Sequence, residues 1–366
     1  MRVLIIEHFL PSNTYSKELC ESLSEYCDIT VLTKRNYIDD GKVNWEVKPC
    51  LFQQDLKNKV LSFVYVVLGW MHIVKELLFG KYDIVHVQTF KVDTVEMFLY
   101  RLLARGRLVH TAHNILPHEA SNKDRRKYGR FYGKCECIIV HNEVCKQLLT
   151  QEYGVGDKVR VIPHGTYRAK IVNCNKKSDK INILQFGMIR KYKGIDILIK
   201  AVGMLSEEVR RKIHVTIAGK QYKALDDSDY QTMISDLGIS DTISFKSERI
   251  ADSEMSILFS QADVCVFPYR QIYGSGALLM AYSYEKPVIV SSVPALIEET
   301  QNGATGLIFS SEDSSALAQA IEEFVNKTDK DIIAYKNNVR RLTSQKYNWI
   351  KSAELTYKAY KEISQE

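Results

Sequence analysis

The sequence predicts an α/β protein built from two doubly wound, Rossmann-like domains with parallel sheets. Three observations carry that prediction. Short apolar runs of strand length alternate with apolar stripes at helical spacing along the whole chain, the pattern of strand–helix–strand units. The length of 366 residues suits two ordinary domains, each with its own core. A polar stretch without periodicity, ending Asn173-Cys-Asn-Lys-Lys-Ser-Asp-Lys180, separates the two halves.

Taken in order, strands are expected near 2–6, 28–32, 83–87, 107–111, 136–141 and 159–163 in the first half. In the second half they are expected near 181–186, 213–218, 242–246, 263–267 and 287–291. These runs are continuously apolar, as strands buried on both faces must be. Helical stripes fill the gaps, for example Ile195, Leu198, Ile199 and Val202 after the strand at 181–186. The expected division is a first domain over 1–168, a linker over 169–180, a second domain over 181–345 and a terminal helix over 346–366. That helix carries Trp349, Tyr357 and Tyr360 at helical spacings.

Composition narrows the class. Hydrophobic residues make up 45% and charged residues 26%, the balance of a soluble globular protein. The start, Met1-Arg-Val-Leu-Ile-Ile6, is too short an apolar run before Glu7 and His8 for a signal peptide and reads as a first strand. The 8 cysteines are scattered, and Cys137 and Cys265 lie inside apolar runs. Reduced core thiols in a cytoplasmic protein are therefore expected. Cys135-x-Cys137 lacks a trustworthy zinc spacing. The net charge of +6 suits phosphate-bearing substrates or an anionic membrane surface. No dense basic stripe with interleaved aromatic residues supports nucleic-acid binding. The densest basic run, Lys123-Asp-Arg-Arg-Lys-Tyr-Gly-Arg130, reads as a solvated loop or helix face.

Two segments of the second half carry chemistry. Ile183-Leu-Gln-Phe-Gly-Met-Ile-Arg-Lys-Tyr-Lys-Gly194 passes from a strand through a turn at Gly187 to a helix. It puts Arg190 and Lys193 at the carboxyl edge of the sheet, where ligands bind in this architecture. Two cations there suit a phosphate: arginine as a two-pronged donor, lysine as a mobile point charge. The second segment closes a strand at Pro268, runs through a loop to Gly276 and starts a helix at Ala277. Ser275 is the expected N-cap, and Gly276 lets a ligand approach the backbone. The first turn of that helix offers free N–H groups to an anion.

These residues resemble glycosyltransferase family 4 and its two-domain GT-B fold. Gly187, Arg190, Lys193 and Gly194 match the family's phosphate loop, with Met188 in a slot where many members have arginine. Many members carry Glu-x7-Glu at the second segment. Here Met280 stands near the second glutamate and Ser275-Gly276-Ala277-Leu278 replaces the usual Glu-Gly-Phe-Gly, as in a subgroup with Ser-Gly-Ala-Leu. Glu298, followed by Asn302-Gly303-Ala-Thr-Gly306, matches a further family pattern. The resemblance implies two Rossmann-like domains facing across a cleft. It places the acceptor on the first domain and the nucleotide-sugar donor on the second, and it implies that the terminal helix crosses back to the first.

In the first half, His110-Thr-Ala-His113-Asn114 continues to His118-Glu119 just past a strand end. The spacing of His113 and His118 does not fit a metalloprotease helix. The resemblance places His113 near the transferred sugar, with Asn13, Asn114, His118 and Glu119 as candidates for sugar or acceptor contact. His164-Gly165 matches a structural hinge of the family. The first turn, Phe9-Leu-Pro-Ser-Asn-Thr-Tyr-Ser16, lacks the paired glycines of many members; Ser12, Asn13 and Thr14 are expected to cap a helix. That turn also lacks Gly-x-Gly-x-x-Gly, against a nicotinamide dehydrogenase. The apolar run Val60–Met71 is shorter than the roughly 20 residues that span a bilayer. It is expected to be a buried helix of the first domain. The alternative is that Trp70 and the flanking Lys57, Lys59 and Lys75 rest on a membrane.

The expected activity is transfer of a hexosyl group from a nucleoside diphosphate sugar to a glycan or lipid-linked glycan in polysaccharide biosynthesis. The resemblance implies retention of configuration. A UDP-sugar is slightly favoured over a GDP-sugar as substrate, and no cofactor is expected. Arg190, Lys193 and the amides at Ser275–Gly276 can neutralise the leaving diphosphate without a metal, and no Asp-x-Asp motif is assigned to hold one. Alternatives are a sugar-nucleotide epimerase of the same fold, or a catalytically inactive nucleotide-sugar-binding protein. A cytoplasmic protein, peripheral at the inner face of the membrane, is the expected setting.

Overall fold

The computed structural model describes residues 1–38, 43–53, 56–117, 120–172 and 179–364. The chain forms two compact units. One comprises Met1–Gly165 with Lys346–Glu366, the other Thr166–Gln345.

The first unit runs β1 (Arg2–Ile6), α1 (Thr14–Leu23), β2 (Asp28–Thr33), β3 (Glu46–Pro49), α2 (Lys59–Phe79), β4 (Ile84–Val87), α3 (Asp93–Leu103), β5 (Leu108–Thr111), α4 (Asn122–Tyr132), β6 (Cys137–Val140), α5 (Glu143–Tyr153) and β7 (Val159–Val161). Its seven strands are parallel, in the order β3-β2-β1-β4-β5-β6-β7. The order reverses between β1 and β4, the switch point at which loops diverge and leave a crevice.

The second unit repeats the plan with β8 (Ile181–Phe186), α6 (Ile195–Met204), α7 (Glu207–Arg211), β9 (Ile213–Ala218), α8 (Tyr230–Asp236), β10 (Ile243–Lys246), α9 (Asp252–Gln261), β11 (Val264–Phe267), α10 (Gly276–Ser283), β12 (Val288–Ser291), α11 (Pro294–Glu299), β13 (Gly306–Phe309), α12 (Ser314–Val325) and α13 (Asp329–Gln345). Its strands are also parallel, in the order β10-β9-β8-β11-β12-β13. The switch point lies between β8 and β11.

The last helix, α14 (Trp349–Ser364), belongs to the first unit and packs on α1. Ser352 Oγ donates to the Pro163 carbonyl at 2.6 Å, and Tyr360 is fully buried beside His86. Each unit has its own apolar core. Val3, Ile5, Ile84, Val109 and Ile139 anchor the first, joined by Ala353 and Tyr360 of α14. Ile183, Val215, Val264 and Ile289 anchor the second, under Leu198 and Ile321. The seven described cysteines are free thiols, and all but Cys50 are buried.

Three expectations need correction. Strands β3 and β13 are absent from the sequence reading. Each is an edge strand of four residues held by one neighbour; Glu46-Val-Lys-Pro49 leaves no apolar run, whereas Gly306-Leu-Ile-Phe309 is apolar but half-buried and follows directly on the glycine-rich turn at 302–306. The run at 60–71 is not a buried helix. It opens a 21-residue helix of which only Gly69, Ile73 and Leu77 are buried. Val60, Phe63 and Phe79 are 73%, 64% and 74% exposed. By length and composition α2 is long and apolar enough to cross a membrane, as some core helices and signal sequences also are.

Candidate functional site

The second unit brings both chemical segments to its switch point. Leaving β8, Gly187 takes φ +119°, and a Cβ built there would stand 2.6 Å from Lys193 Nζ and 3.9 Å from Ala277 Cβ. The positive φ is what calls for glycine here, and the turn brings the lysine's ammonium up against its backbone. Lys191–Lys193 form a single 3-10 turn, and Gly194 follows in the left-handed region at φ +64°. A Cβ on Gly194 would fall 1.9 Å from the Pro268 carbonyl oxygen, so the two loops close on each other only through glycine.

A pair of residues that the sequence reading missed holds them together. Arg270 donates to Asp196 through both terminal nitrogens, at 3.0 and 2.8 Å, and to the Lys191 carbonyl at 2.7 Å. Its own N–H bonds the Tyr192 carbonyl at 2.7 Å. A forked guanidinium suits such a multiple contact. The spacing of 74 residues between the partners leaves no local signal.

Ser275 caps α10: its Oγ accepts from the Leu278 N–H at 3.2 Å. Gly276 opens the helix, and a Cβ there would lie 2.9 Å from the Tyr167 hydroxyl. The Ser275 N–H donates to a carboxylate at 3.4 Å, and that carboxylate is Glu299. Glu298, the residue singled out from the sequence, lies half-buried beside it on α11.

Lys193 is 7% exposed, with no carboxylate partner among the described residues. Burial, and then the charge of Arg190, lower its ammonium pKa to about 8. Its Nζ sits 5.5 Å above the Tyr269 ring centroid. Arg190 is half-exposed, with Nε 3.4 Å from Met188 Sδ. The unit therefore holds a buried, unneutralised cation, a second arginine and the first turn of a helix beside one another. That combination attracts an anion.

Two Asp-x-Asp spacings do occur, at 227–229 and 329–331. Asp227 pairs with Lys191 at 2.8 Å, Asp229 caps α8 through the Thr232 N–H, and Asp331 accepts from the Thr328 N–H and hydroxyl.

In the first unit, His113 follows β5 and packs edge-on against Tyr15 at 4.6 Å. Both of its ring nitrogens are engaged: Nε2 lies 3.1 Å from Gln88 Oε1 and Nδ1 lies 3.3 Å from His141 Nε2. His141 Nδ1 in turn donates to the Ile162 carbonyl at 3.0 Å. His164 and Trp349 complete this ring cluster around Tyr15. His86, deeper in the sheet, bonds Thr111 and Tyr360, and burial takes its pKa to about 3. Burial foremost, then His141 and His164, hold His113 well below the usual histidine range. A neutral His113 predicts that a pH–rate profile shows no ionisation belonging to it between pH 5 and 8. A limb in that range that disappears in His113→Gln would contradict this.

Asn13 precedes α1, yet its side chain does not cap the helix as expected. It donates instead to Glu7, at 2.7 Å. Glu7 is fully buried and also accepts from Phe9 N–H, Ser16 Oγ and Thr89 Oγ1, which fixes the two loops at this switch point. Asn114 is exposed. His118 and Glu119 lie outside the described residues.

Two doubly wound parallel units, one with an anion-ready phosphate loop, have the architecture of the GT-B fold. The comparisons agree. Residues 12–168 match the profile described as Glycosyltransferase Family 4, and residues 167–341 match Glycosyl transferases group 1. The chain belongs among the family 4-like glycosyltransferases. It is 26% identical over 325 residues to the D-inositol 3-phosphate glycosyltransferase of Paenarthrobacter aurescens, covering 80% of this chain and 77% of that one. It is 24% identical over 276 residues to the GDP-mannose:glycolipid 4-beta-D-mannosyltransferase of Xanthomonas campestris, covering 68% and 73%. Among solved structures, Anabaena HepE in complex with UDP and glucose superposes with a TM-score of 0.75 at 17% identity, covering 99% and 100%.

Proposed function

We propose that this glycosyltransferase moves a hexosyl group from a nucleoside diphosphate sugar to a glycan or lipid-linked glycan of a surface polysaccharide, with retention and without a metal. The observation that carries the donor site is Lys193, a buried cation beside Gly187 with no carboxylate partner among the described residues. Breaking the sugar–phosphate bond places negative charge on the departing diphosphate. Lys193, Arg190 and the first amides of α10 are fixed before the reaction and stabilise that charge as it develops. The acceptor hydroxyl attacks from the leaving-group side, and a diphosphate oxygen takes its proton. Among the first unit's residues, neutral His113 contributes a polar surface for the sugar rather than a charge.

The glycolipid acceptor named for the Xanthomonas relative and the exposed apolar stripe of α2 support a lipid-linked acceptor and a peripheral position on the membrane. UDP-sugars are the first donors to try, and GDP-mannose is the competitor. The test is transfer of labelled sugar from each donor to lipid-linked glycans; release of free sugar or epimer without acceptor would overturn the reading. Transfer is expected to survive chelation, since two cations and a helix N-terminus face the diphosphate. Abolition by chelator with rescue by Mg²⁺ or Mn²⁺ would overturn the metal-free part.

A further inference from the structure

The ring nitrogens around His113 form a chain in which each contact fixes the proton of the next. The chain starts at the Ile162 carbonyl, which can only accept, so His141 Nδ1, 3.0 Å away, carries a hydrogen. A neutral imidazole has one N–H, which leaves His141 Nε2 as a bare acceptor. His113 Nδ1, 3.3 Å from it, is then the donor, and His113 Nε2 is left bare in its turn. The group 3.1 Å from that nitrogen is the amide of Gln88, a buried side chain. An amide's oxygen and nitrogen are nearly the same size, so the hydrogen-bond network decides which of them faces the ring. An oxygen there would set lone pair against lone pair, whereas the NH₂ group donates.

The other end of the amide agrees. It lies 3.2 Å from His86 Nε2. With the NH₂ turned to His113, the amide oxygen accepts from His86 Nε2–H, and Thr111 Oγ1, 2.7 Å from the same nitrogen, is a second acceptor. His86 Nδ1 is then bare and accepts from the Tyr360 hydroxyl. Every contact has a donor, and no ring is charged. The opposite amide orientation needs a third hydrogen on the His113–His141 pair, and so a positive charge. The rings packed on that pair, Tyr15 and His164, bring no negative charge to balance one, and burial holds both histidines below the usual range. We propose that His141 and Gln88 are positioning residues: together they hold His113 as the neutral Nδ1–H tautomer, with its one N–H turned inward to His141. This rests on the reading above that His113 lines the place of the sugar. On that reading the ring offers the sugar no N–H.

The test is the ¹⁵N spectrum of the histidine rings in the full chain, with His113→Gln and His141→Gln used to assign the two residues. Bare and protonated ring nitrogens resonate apart, so the tautomer is read directly. His113 is expected protonated at Nδ1 and bare at Nε2. His141→Phe keeps the ring's shape without its nitrogens, and should release His113 to a mixture of tautomers. It should also lower kcat/KM for sugar transfer about tenfold, the scale of one lost hydrogen bond, with unchanged affinity for UDP and GDP. His141→Gln puts an amide oxygen where Nε2 stood, and should keep the Nδ1–H form and most of the rate. Melting temperatures show that both variants fold. The proposal is overturned if wild-type His113 is protonated at Nε2 or at both nitrogens. It is also overturned if His141→Phe keeps both the tautomer and the rate of the wild type, or if a folded His141→Gln is as slow as His141→Phe. The spectrum is taken without sugar nucleotide, so its failure counts against the positioning alone. The expected tautomer without transfer from any donor counts against the activity reading alone.

Discussion

Lys193→Met cuts sugar transfer by about 10²–10³, and Arg190→Ala does the same, the scale for losing one preorganised contact to developing charge. The two differ in stability. Both belong to one loop, but Arg190 is half-exposed while Lys193 is buried and meets no carboxylate among the described residues. Removing a buried, unpaired charge while keeping side-chain volume relieves desolvation, so Lys193→Met is expected to melt no lower than the wild type. Turnover and melting temperature measured on both variants check this. Near-normal rates in both would remove the loop from the site.

Gly194→Ala has the largest expected effect on stability. The residue is held at φ +64°, and the new methyl carbon would lie 1.9 Å from the Pro268 carbonyl. The left-handed conformation alone costs an L-residue roughly 1–2 kcal/mol. Displacing the neighbouring loop raises the total to about 3 kcal/mol, the upper end of what single substitutions ordinarily cost. Because Pro268 leads into Arg270, the same change pulls Arg270 away from Asp196 and the Lys191 carbonyl. Urea denaturation with a parallel nucleotide titration should show both losses. An unchanged midpoint would mean that the two loops do not close as described.

The parts of the molecule visible in the sequence are those whose physics is local. Buried parallel strands such as Ile181–Phe186 and Val264–Phe267 leave unbroken apolar runs, and the left-handed turns at Gly187 and Gly194 leave glycine. What stayed hidden depends on distant partners. Arg270 and Asp196 find each other across 74 residues. His141 and Gln88 reach His113 only because β4, β5 and β6 lie side by side. Asn13 stands where a cap is expected, but buried Glu7 competes for its amide and wins. That Glu299 is the residue reaching the Ser275 N–H depends on which face of a six-residue helix looks at α10. For α2, its continuous apolarity reads equally as core or as an exposed surface, and only the packing of its neighbours distinguishes them.

The central claim is that Lys193 receives the donor's diphosphate, and calorimetric titration of UDP and GDP tests it most directly. Free Lys193 has a pKa of about 8, lowered by burial and by Arg190. The charged form is therefore disfavoured in the empty site, and a bound diphosphate reverses that preference. Between pH 8 and 9 binding should take up protons, and affinity should fall as pH rises through that range. Proton uptake is read from the dependence of the binding enthalpy on the buffer's ionisation enthalpy. The account predicts uptake in the wild type and its loss in Lys193→Met. Binding without proton uptake, or with equal uptake in both proteins, would contradict it.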